Sequence, residues 1–433
     1  VNLTQTNFQQ VQTDRTVLDN GIVVLVRENP VADIVSTRIF IRSGSRWEVA
    51  AQAGLAHLVA AVLTKGTKRQ TALEIAEQVE SVGAGLGTDS TVDYFLLSLK
   101  TVTADFSEIL SLAGELLRSP TFPEPELELE RKLTLQAIRS QREQPFTVAF
   151  EQLRQAMYGN HPYALSGLGT EATVAELSRA DLLHYHQTHF RPDNLVISLS
   201  GRIERSAAIA QITQVLGDWQ APVTPLPTLK LPEIKAIPVR KAIAQDTQQA
   251  IVMLGYLAPG ISNLHATASS PDYIALKLLS SYLGNGLSSR LFVELREKLG
   301  LAYEVSAFYP TRLDAAQFVA YMGTAPENTA IALQGLQTEV DRLRQVLLSP
   351  TELQAAKNKV LGQYALGKQT NAQLAQTFGW YETLGLGIEF DMVFPEQIAA
   401  ISAAELQQAA QNWLTEPFVS LVGPATAVNP LVS

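Results

Sequence analysis

The sequence predicts an α+β protein made of two similarly built halves, each a sheet backed by helices. Three observations predict it. With 433 residues, the chain has room for roughly two to four domains and for large buried cores. Five prolines (Pro222, Pro225, Pro227, Pro232 and Pro238) crowd the stretch Trp219–Pro238 and mark an extended linker near the middle. The order of elements before this linker recurs after it. The expected division is therefore 1–220, a linker at 221–238, and 239–433.

The elements follow in order. Leu18-Asp19-Asn20-Gly21 is turn chemistry leading into the β-rich run Ile22–Arg27, which predicts a hairpin. Asp33–Arg42 is rich in β-branched residues and predicts a second strand. Val49–Thr64 is apolar and Ala-rich, a buried helix stopped by Gly66. Thr71–Val82 has helical period, and Tyr94–Thr101 reads as a strand. Helices are expected near Ala104–Arg118, Pro125–Arg142, Phe146–Tyr158 and Val174–His186. A short strand, Leu195–Ser200, ends at Gly201 before a last helix. In the second half, strands are expected at Ala250–Leu257, Ala302–Tyr309 and Gln317–Met322, with helices between and after them. A local match supports the repeat. Ser119-Pro120 with Glu126-Leu127 resembles Ser349-Pro350 with Glu352-Leu353.

Composition excludes several classes. Hydrophobic residues make up 46% and charged residues 17%, which rules out disorder and collagen. Without cysteine there is no disulfide scaffold, thiolate zinc site, iron–sulfur cluster or cysteine nucleophile. Thirty-three basic against 42 acidic residues give a net charge of −9, which argues against nucleic acid as the main partner. The longest uncharged run, Thr247–Pro271, is broken by Gln248, Gln249, Pro259, Gly260 and Asn263, so no membrane span is expected. No signal peptide is visible. The chain opens at Val1 rather than Met, which leaves room for a leader already removed. Absence of cysteine suits the cytoplasm and the periplasm alike, so localisation stays open.

Gly54-Leu55-Ala56-His57-Leu58-Val59-Ala60-Ala61, closing at Lys65-Gly66-Thr67, resembles the active-site helix of the M16 (pitrilysin-like, inverted zinc-motif) metalloprotease family. That family writes G-L-A-H-x-x-E-H and then K-G-T. Two His four apart share a helical face and grip one zinc, and the Glu three after the first His serves the zinc-bound water as general base. A Glu about 76 residues beyond the second His completes the ligand set. Here the frame stands without the chemistry. His57 is present, but the base position is Ala60, the second ligand position is Ala61, and the third falls at Gln136-Ala137. One imidazole makes no catalytic zinc site, so the resemblance implies no metal in this chain. The plainer reading of His57 is a helix residue packed in a former cleft. Val82–Thr88 resembles the family's substrate-binding edge strand, with Gly87 where an Asn is usual; that reading competes with a flexible glycine turn.

The second half departs less. Gly286-Leu287-Ser288-Ser289-Arg290-Leu291-Phe292, running through Glu294-Leu295-Arg296-Glu297-Lys298 to Leu301-Ala302-Tyr303, resembles the family's second-half signature closely. Its functional pair corresponds to Arg296 and Tyr303. The resemblance gives them the task of holding substrate backbone and stabilising charge on the scissile carbonyl, work suited to two donors in a closed cavity. Ser288 sits where relatives contact substrate through a longer loop. On residue type alone, Arg296 reads equally as part of a solvated helix face and Tyr303 as a strand residue.

Other histidines and acids offer less. His184, His186 and His189 lack the spacing of a metal cage. Glu124, Glu126, Glu128 and Glu130 complement a helix N-terminus. The Gly/Ser-rich stretch at 284–289 lacks the Lys of a phosphate loop, and no Gly-x-Ser-x-Gly elbow is present. The resemblance implies mostly antiparallel sheets in a chain forming half of a clamshell chamber. It further implies the non-catalytic subunit of a heterodimeric zinc endopeptidase acting on short or unfolded peptides. The partner M16 subunit, bearing His-x-x-Glu-His, would carry the zinc. The competing reading is an inert structural or peptide-binding protein of the same fold; a self-sufficient enzyme with a relocated metal has no ligand set to support it.

Overall fold

The computed structural model describes residues 13–235, 237–261 and 271–431. Residues 1–12, Ala236 within the linker, residues 262–270 of the run at 247–271 and the last two residues lie outside the described residues. The first half contains β1 (Asp14–Val17), β2 (Val23–Glu28), β3 (Ile34–Ile41), α1 (Leu55–Leu63), α2 (Ala72–Ser81), β4 (Gly85–Ser90), β5 (Phe95–Val102), α3 (Phe106–Arg118), α4 (Glu124–Arg142), α5 (Pro145–Tyr158), α6 (Glu171–Glu176), α7 (Arg179–His189), β6 (Leu195–Gly201) and α8 (Arg205–Leu216). The second contains β7 (Arg240–Ala244), β8 (Ala250–Ala258), α9 (Pro271–Gly284), a π-helical turn (Phe292–Lys298), β9 (Ala302–Phe308), β10 (Ala316–Thr324), α10 (Thr329–Gln345), α11 (Pro350–Leu366), α12 (Asn371–Thr383), α13 (Phe390–Ala400), α14 (Ala403–Trp413), β11 (Phe418–Gly423) and α15 (Ala425–Val428).

Two expected boundaries need correction. The helix expected over 49–64 is regular only from Leu55, because Gly54 takes φ +97° and the segment before it forms two short 3₁₀ turns. The helix expected over 174–186 is two. Ser178 accepts from Asp181 N and starts α7 afresh with a capping box, after the chain extends at Leu177.

The sheets share one plan. The first has strand order β1-β2-β6-β3-β5-β4 and the second β7-β11-β8-β10-β9. Each has one parallel pair, β2 with β6 and β7 with β11, and is otherwise antiparallel. Removing β1 from the first sheet superposes the two orders, so β4 and β9 are equivalent edge strands, and α1, α4 and α5 answer to α9, α11 and α12.

Both faces of each sheet are covered, which is why every residue of β6 and β11 is buried, Ser198, Ser200 and Ser420 included. Val24 and Val26 face the first half's own helices, whereas Val23, Leu25 and Phe40 pack against Leu374, Phe378 and Tyr381 of α12. Conversely, Ile251, Met253 and Phe418 of the second sheet pack against Ala149, Leu153 and Met157 of α5. Each half thus lends one helix to the other's sheet. Polar contacts fix the exchange: Asn371 Nδ2 donates to Ile34 O at 3.1 Å, Arg15 pairs with Glu382 at 2.9 Å, and Ser420 Oγ donates to Ala149 O at 2.8 Å.

Candidate functional site

Helix α1 is started by a side chain from the preceding loop. The buried Glu48 carboxyl accepts from Gly54 N at 3.0 Å and Ala56 N at 2.6 Å, satisfying two otherwise unpaired helix donors. Burial pushes this carboxyl up to about 8, against the pull of those two donors. His57, one turn in, is half-buried, and its Nε2 lies 3.2 Å from Thr134 Oγ1 of α4. Burial holds its imidazole below the ordinary value, opposed by Glu130 and Asp89. Ala60 is buried, and its carbonyl accepts from Thr88 Oγ1 of β4 at 2.6 Å. His57 opens onto a cavity of about 460 Å³, which Asp89, Gln141, Phe146 and Arg154 also line.

The helix face decides between Gln136 and Ala137. Thr134 contacts His57 and Gln141 lines its cavity, so residue 137 lies on that face and residue 136 is turned about 100° away. The second half repeats this joint. Ser306 Oγ of β9 donates to Gly284 O at 2.8 Å, as Thr88 does to Ala60 O, and Asn285 Nδ2 donates to Gln363 Oε1 at 3.2 Å. Counted from Gly284 and Ala60, Asn285 answers to Ala61. Gln363 answers to Ala137 by the Glu126/Glu352 offset. The candidate zinc positions therefore hold one imidazole and the methyls of Ala60, Ala61 and Ala137, a set that does not fit zinc. Among the described residues, no three His, Asp or Glu side chains are grouped to hold a metal ion.

Gly87 lies on β4, an outer strand paired only with β5, and the backbone there is regular strand rather than a turn. A Cβ placed at Gly85 or Gly87 would meet nothing within 4 Å, so the face of this outer strand is uncrowded at both glycines.

Arg296 lies on the π-helical turn anchored by buried Leu295, and Leu301 N closes it onto Leu295 O at 2.9 Å. The Arg296 guanidinium is exposed, 5.0 Å from the Phe292 ring centroid. Tyr303 is 62% exposed at the start of β9 and lines a cavity of about 440 Å³ with Glu143, Pro145 and Gln249. The His57 and Tyr303 cavities are separate, though both draw on the junction of α4 and α5. Ser288 is exposed in the turn after Gly286.

Two histidines of α7, His186 and His189, serve packing, and His184 is exposed. His186 Nε2 lies 2.9 Å from Leu117 O, His189 lies against the Trp47 and Tyr185 rings, and burial pushes both imidazoles down to about 4. Glu130 pairs with Lys65 at 3.1 Å. Sequence reasoning missed Lys277, a lone cation in an apolar helix, and a buried cluster joining the halves. In that cluster Asp93 accepts from Tyr163 Oη at 2.6 Å and lies 3.5 Å from Arg46, which also pairs with Asp314. The one visible signal was Lys277 itself, standing alone in Tyr273–Leu283.

Comparison with known proteins agrees with this architecture. Residues 23–171 match the family model described as "Insulinase (Peptidase family M16)", and residues 176–360 match "Peptidase M16 inactive domain". An uncharacterized zinc protease of Rickettsia bellii is 25% identical over 94% of this chain and 96% of its own length. The uncharacterized zinc protease YmxG of Bacillus subtilis is 26% identical over 95% of this chain and 98% of its own. The crystal structure of a peptidase M16 inactive domain from Pseudomonas fluorescens superposes with a TM-score of 0.87 at 24% identity, covering 95% of this chain and 98% of that one. With both family models in sequence order and the whole fold reproduced, the chain belongs to the M16 peptidase family.

Proposed function

We propose that this chain is the non-catalytic subunit of a heterodimeric zinc endopeptidase. It supplies Arg296 and Tyr303 to a partner M16 subunit carrying His-x-x-Glu-His. One observation carries the reading: the guanidinium and the phenol stand exposed where the fold gives them little to do, while His57 alone remains of the family's zinc-site residues and Ala60, Ala61 and Ala137 fill the other positions. The zinc in the partner supplies the activated water. This chain's part is to orient substrate. Arg296 and the Tyr303 hydroxyl donate to peptide carbonyl oxygens, the Tyr303 hydroxyl aimed where negative charge develops. The open edge of β4 offers backbone N–H and C=O groups to an extended peptide, and with Gly87 in place of an amide-bearing residue the contact is main-chain only. Among the described residues no helix is long and apolar enough to cross a membrane.

The test is co-expression with the His-x-x-Glu-His subunit and assay of unstructured peptides. Arg296→Ala and Tyr303→Phe should each leave assembly intact and lower kcat by on the order of 10²–10³, the usual loss for one oxyanion donor. Full activity in both variants would leave an inert structural or peptide-binding role instead.

A further inference from the structure

Where α9, α11, α12 and α13 meet, beside Tyr94 of the first half, lies a cavity of about 430 Å³. By the repeat it belongs to the region that answers to the His57 site, but it is built from different chemistry. Half of the residues lining it are aromatic, with Trp380, Tyr364, Phe390 and Phe394 among them, and its one cation without a carboxylate partner is Lys277. Its volume falls within the range of about 300–1,000 Å³ typical of small-molecule sites, as does its mix of apolar walls and few polar groups.

Lys277 sets the chemistry. Its Nζ donates to Tyr309 O at 2.8 Å and lies 5.3 Å and 5.1 Å from the Tyr273 and Tyr309 ring centroids. No carboxylate lies within ion-pair distance of it among the described residues. The nearby acids are committed elsewhere: Asp391 pairs with Lys368, the other lysine of the cavity, and Asp272 accepts from Trp413 Nε1 at 2.7 Å. Burial, reinforced by Arg312, pushes the amine down to about 7. A buried ammonium with one carbonyl and two ring faces for company is under-compensated, and two of its three donors are left for a ligand. A purely structural lysine needs no cavity beside its ammonium.

We propose that this cavity binds a small aromatic monocarboxylate, its ring among Trp380, Tyr364 and Phe394 and its carboxylate on the Lys277 ammonium. The aromatic walls favour a flat ring, each offset or edge-on pair adding about 0.5–1.5 kcal/mol beyond area burial. The single uncompensated cation selects one negative charge. This site is independent of the peptidase reading and stands or falls without it.

The test uses a matched pair of probes, indole-3-acetate and its neutral amide indole-3-acetamide, titrated into the full chain by calorimetry. The acid should bind saturably and the amide about tenfold or more weaker, since about 1.4 kcal/mol separates affinities by tenfold and a charge-assisted hydrogen bond contributes at least that. Lys277→Met should erase the difference between the two, and Trp380→Leu should weaken the acid while keeping the preference for it. Equal affinity for acid and amide in the wild-type chain overturns the proposal, whatever the variants do. So does failure of the acid to bind at millimolar concentration.

Discussion

The lent helix α12 touches the first sheet most closely at Gly379, where a Cβ would lie 2.3 Å from Phe40 Cε2 and 2.8 Å from Ser198 Cβ. Ordinary carbon contacts sit at about 3.5–4.0 Å, so Gly379→Ala demands a shift of more than about 1 Å. Neither side gives easily. Phe40 is fully buried against Tyr94, and α12 is held at its ends by Asn371 on Ile34 O and by Glu382 on Arg15. Overpacking of this kind costs about 1–3 kcal/mol, while Ala recovers up to about 1 kcal/mol of helix propensity over Gly. A 2.3 Å approach to a ring that cannot yield puts the cost at the upper end, so the expected net loss is about 2 kcal/mol. Gly255 is the control on the other exchanged contact. Its added Cβ would meet Met157 Sδ at 2.7 Å and Leu153 Cδ1 at 2.9 Å, both ends of flexible side chains that can swing aside. Gly255→Ala should therefore cost less than Gly379→Ala in urea unfolding. Adding Phe40→Leu to Gly379→Ala should give a favourable coupling of about 0.5–3 kcal/mol by opening room for the methyl. A neutral Gly379→Ala, a costlier Gly255→Ala, or zero coupling would refute the close-packing argument.

Further predictions concern the site and the joint between halves. Ala60→Glu with Ala61→His should not retain zinc through dialysis, whereas adding Ala137→Glu should bring retention to about one equivalent; adding Gln136→Glu instead should fail, because residue 136 is turned off the His57 face. Success with Gln136→Glu would reverse the helix-face assignment. Glu48, whose carboxyl is raised in the folded chain to about 8 from an ordinary 4.5, contributes stability that is present below about pH 4.5 and lost as pH rises through 8. Glu48→Gln should flatten the stability profile over that window, and identical profiles would remove Glu48 as its source. Asp93→Asn replaces charge-assisted bonds to Tyr163 and Arg46 and should cost about 1.5–3 kcal/mol by denaturant unfolding; a change under about 0.5 kcal/mol would mean the cluster does not hold the halves together.

Much of the fold was legible because the informative signals were local. Leu18-Asp19-Asn20-Gly21 announced a turn, the β-branched run 33–42 a strand, and the order of elements a repeat. The break between α6 and α7 was also local, since Ser178 and Asp181 spell a capping box, but the apolar period running across Leu177 hid it. Helix α1 begins late for a reason no window of sequence contains: Gly54 in its left-handed conformation would push a Cβ within 2.6 Å of Leu168 O, more than 110 residues away. At the candidate site, the resemblance of 54–67 to the family's active-site helix picked out His57, Ala60 and Ala61. The choice between Gln136 and Ala137 needed the rotation of α4 against α1. Lys277 was passed over because one lysine in an apolar helix is ordinarily a snorkelling surface residue; the fold instead sets it against the Tyr273 and Tyr309 rings, in a cavity walled by α11, α12 and α13.

The exchange of α5 and α12 also bears on how the chain is made. Helix α5 emerges early, yet β11, one of the strands it covers, ends at Gly423, and the described chain closes at Leu431. At a synthesis rate of about 5–20 residues per second, the apolar face of Ala149, Leu153 and Met157 waits on the order of fifteen seconds to a minute for its seat. The Phe40 side of the first sheet waits longer still for α12, because more of the chain separates Phe40 from Phe378. Neither half can complete its core as a separate product, so cutting the chain at its proline linker should yield two aggregation-prone fragments rather than two domains.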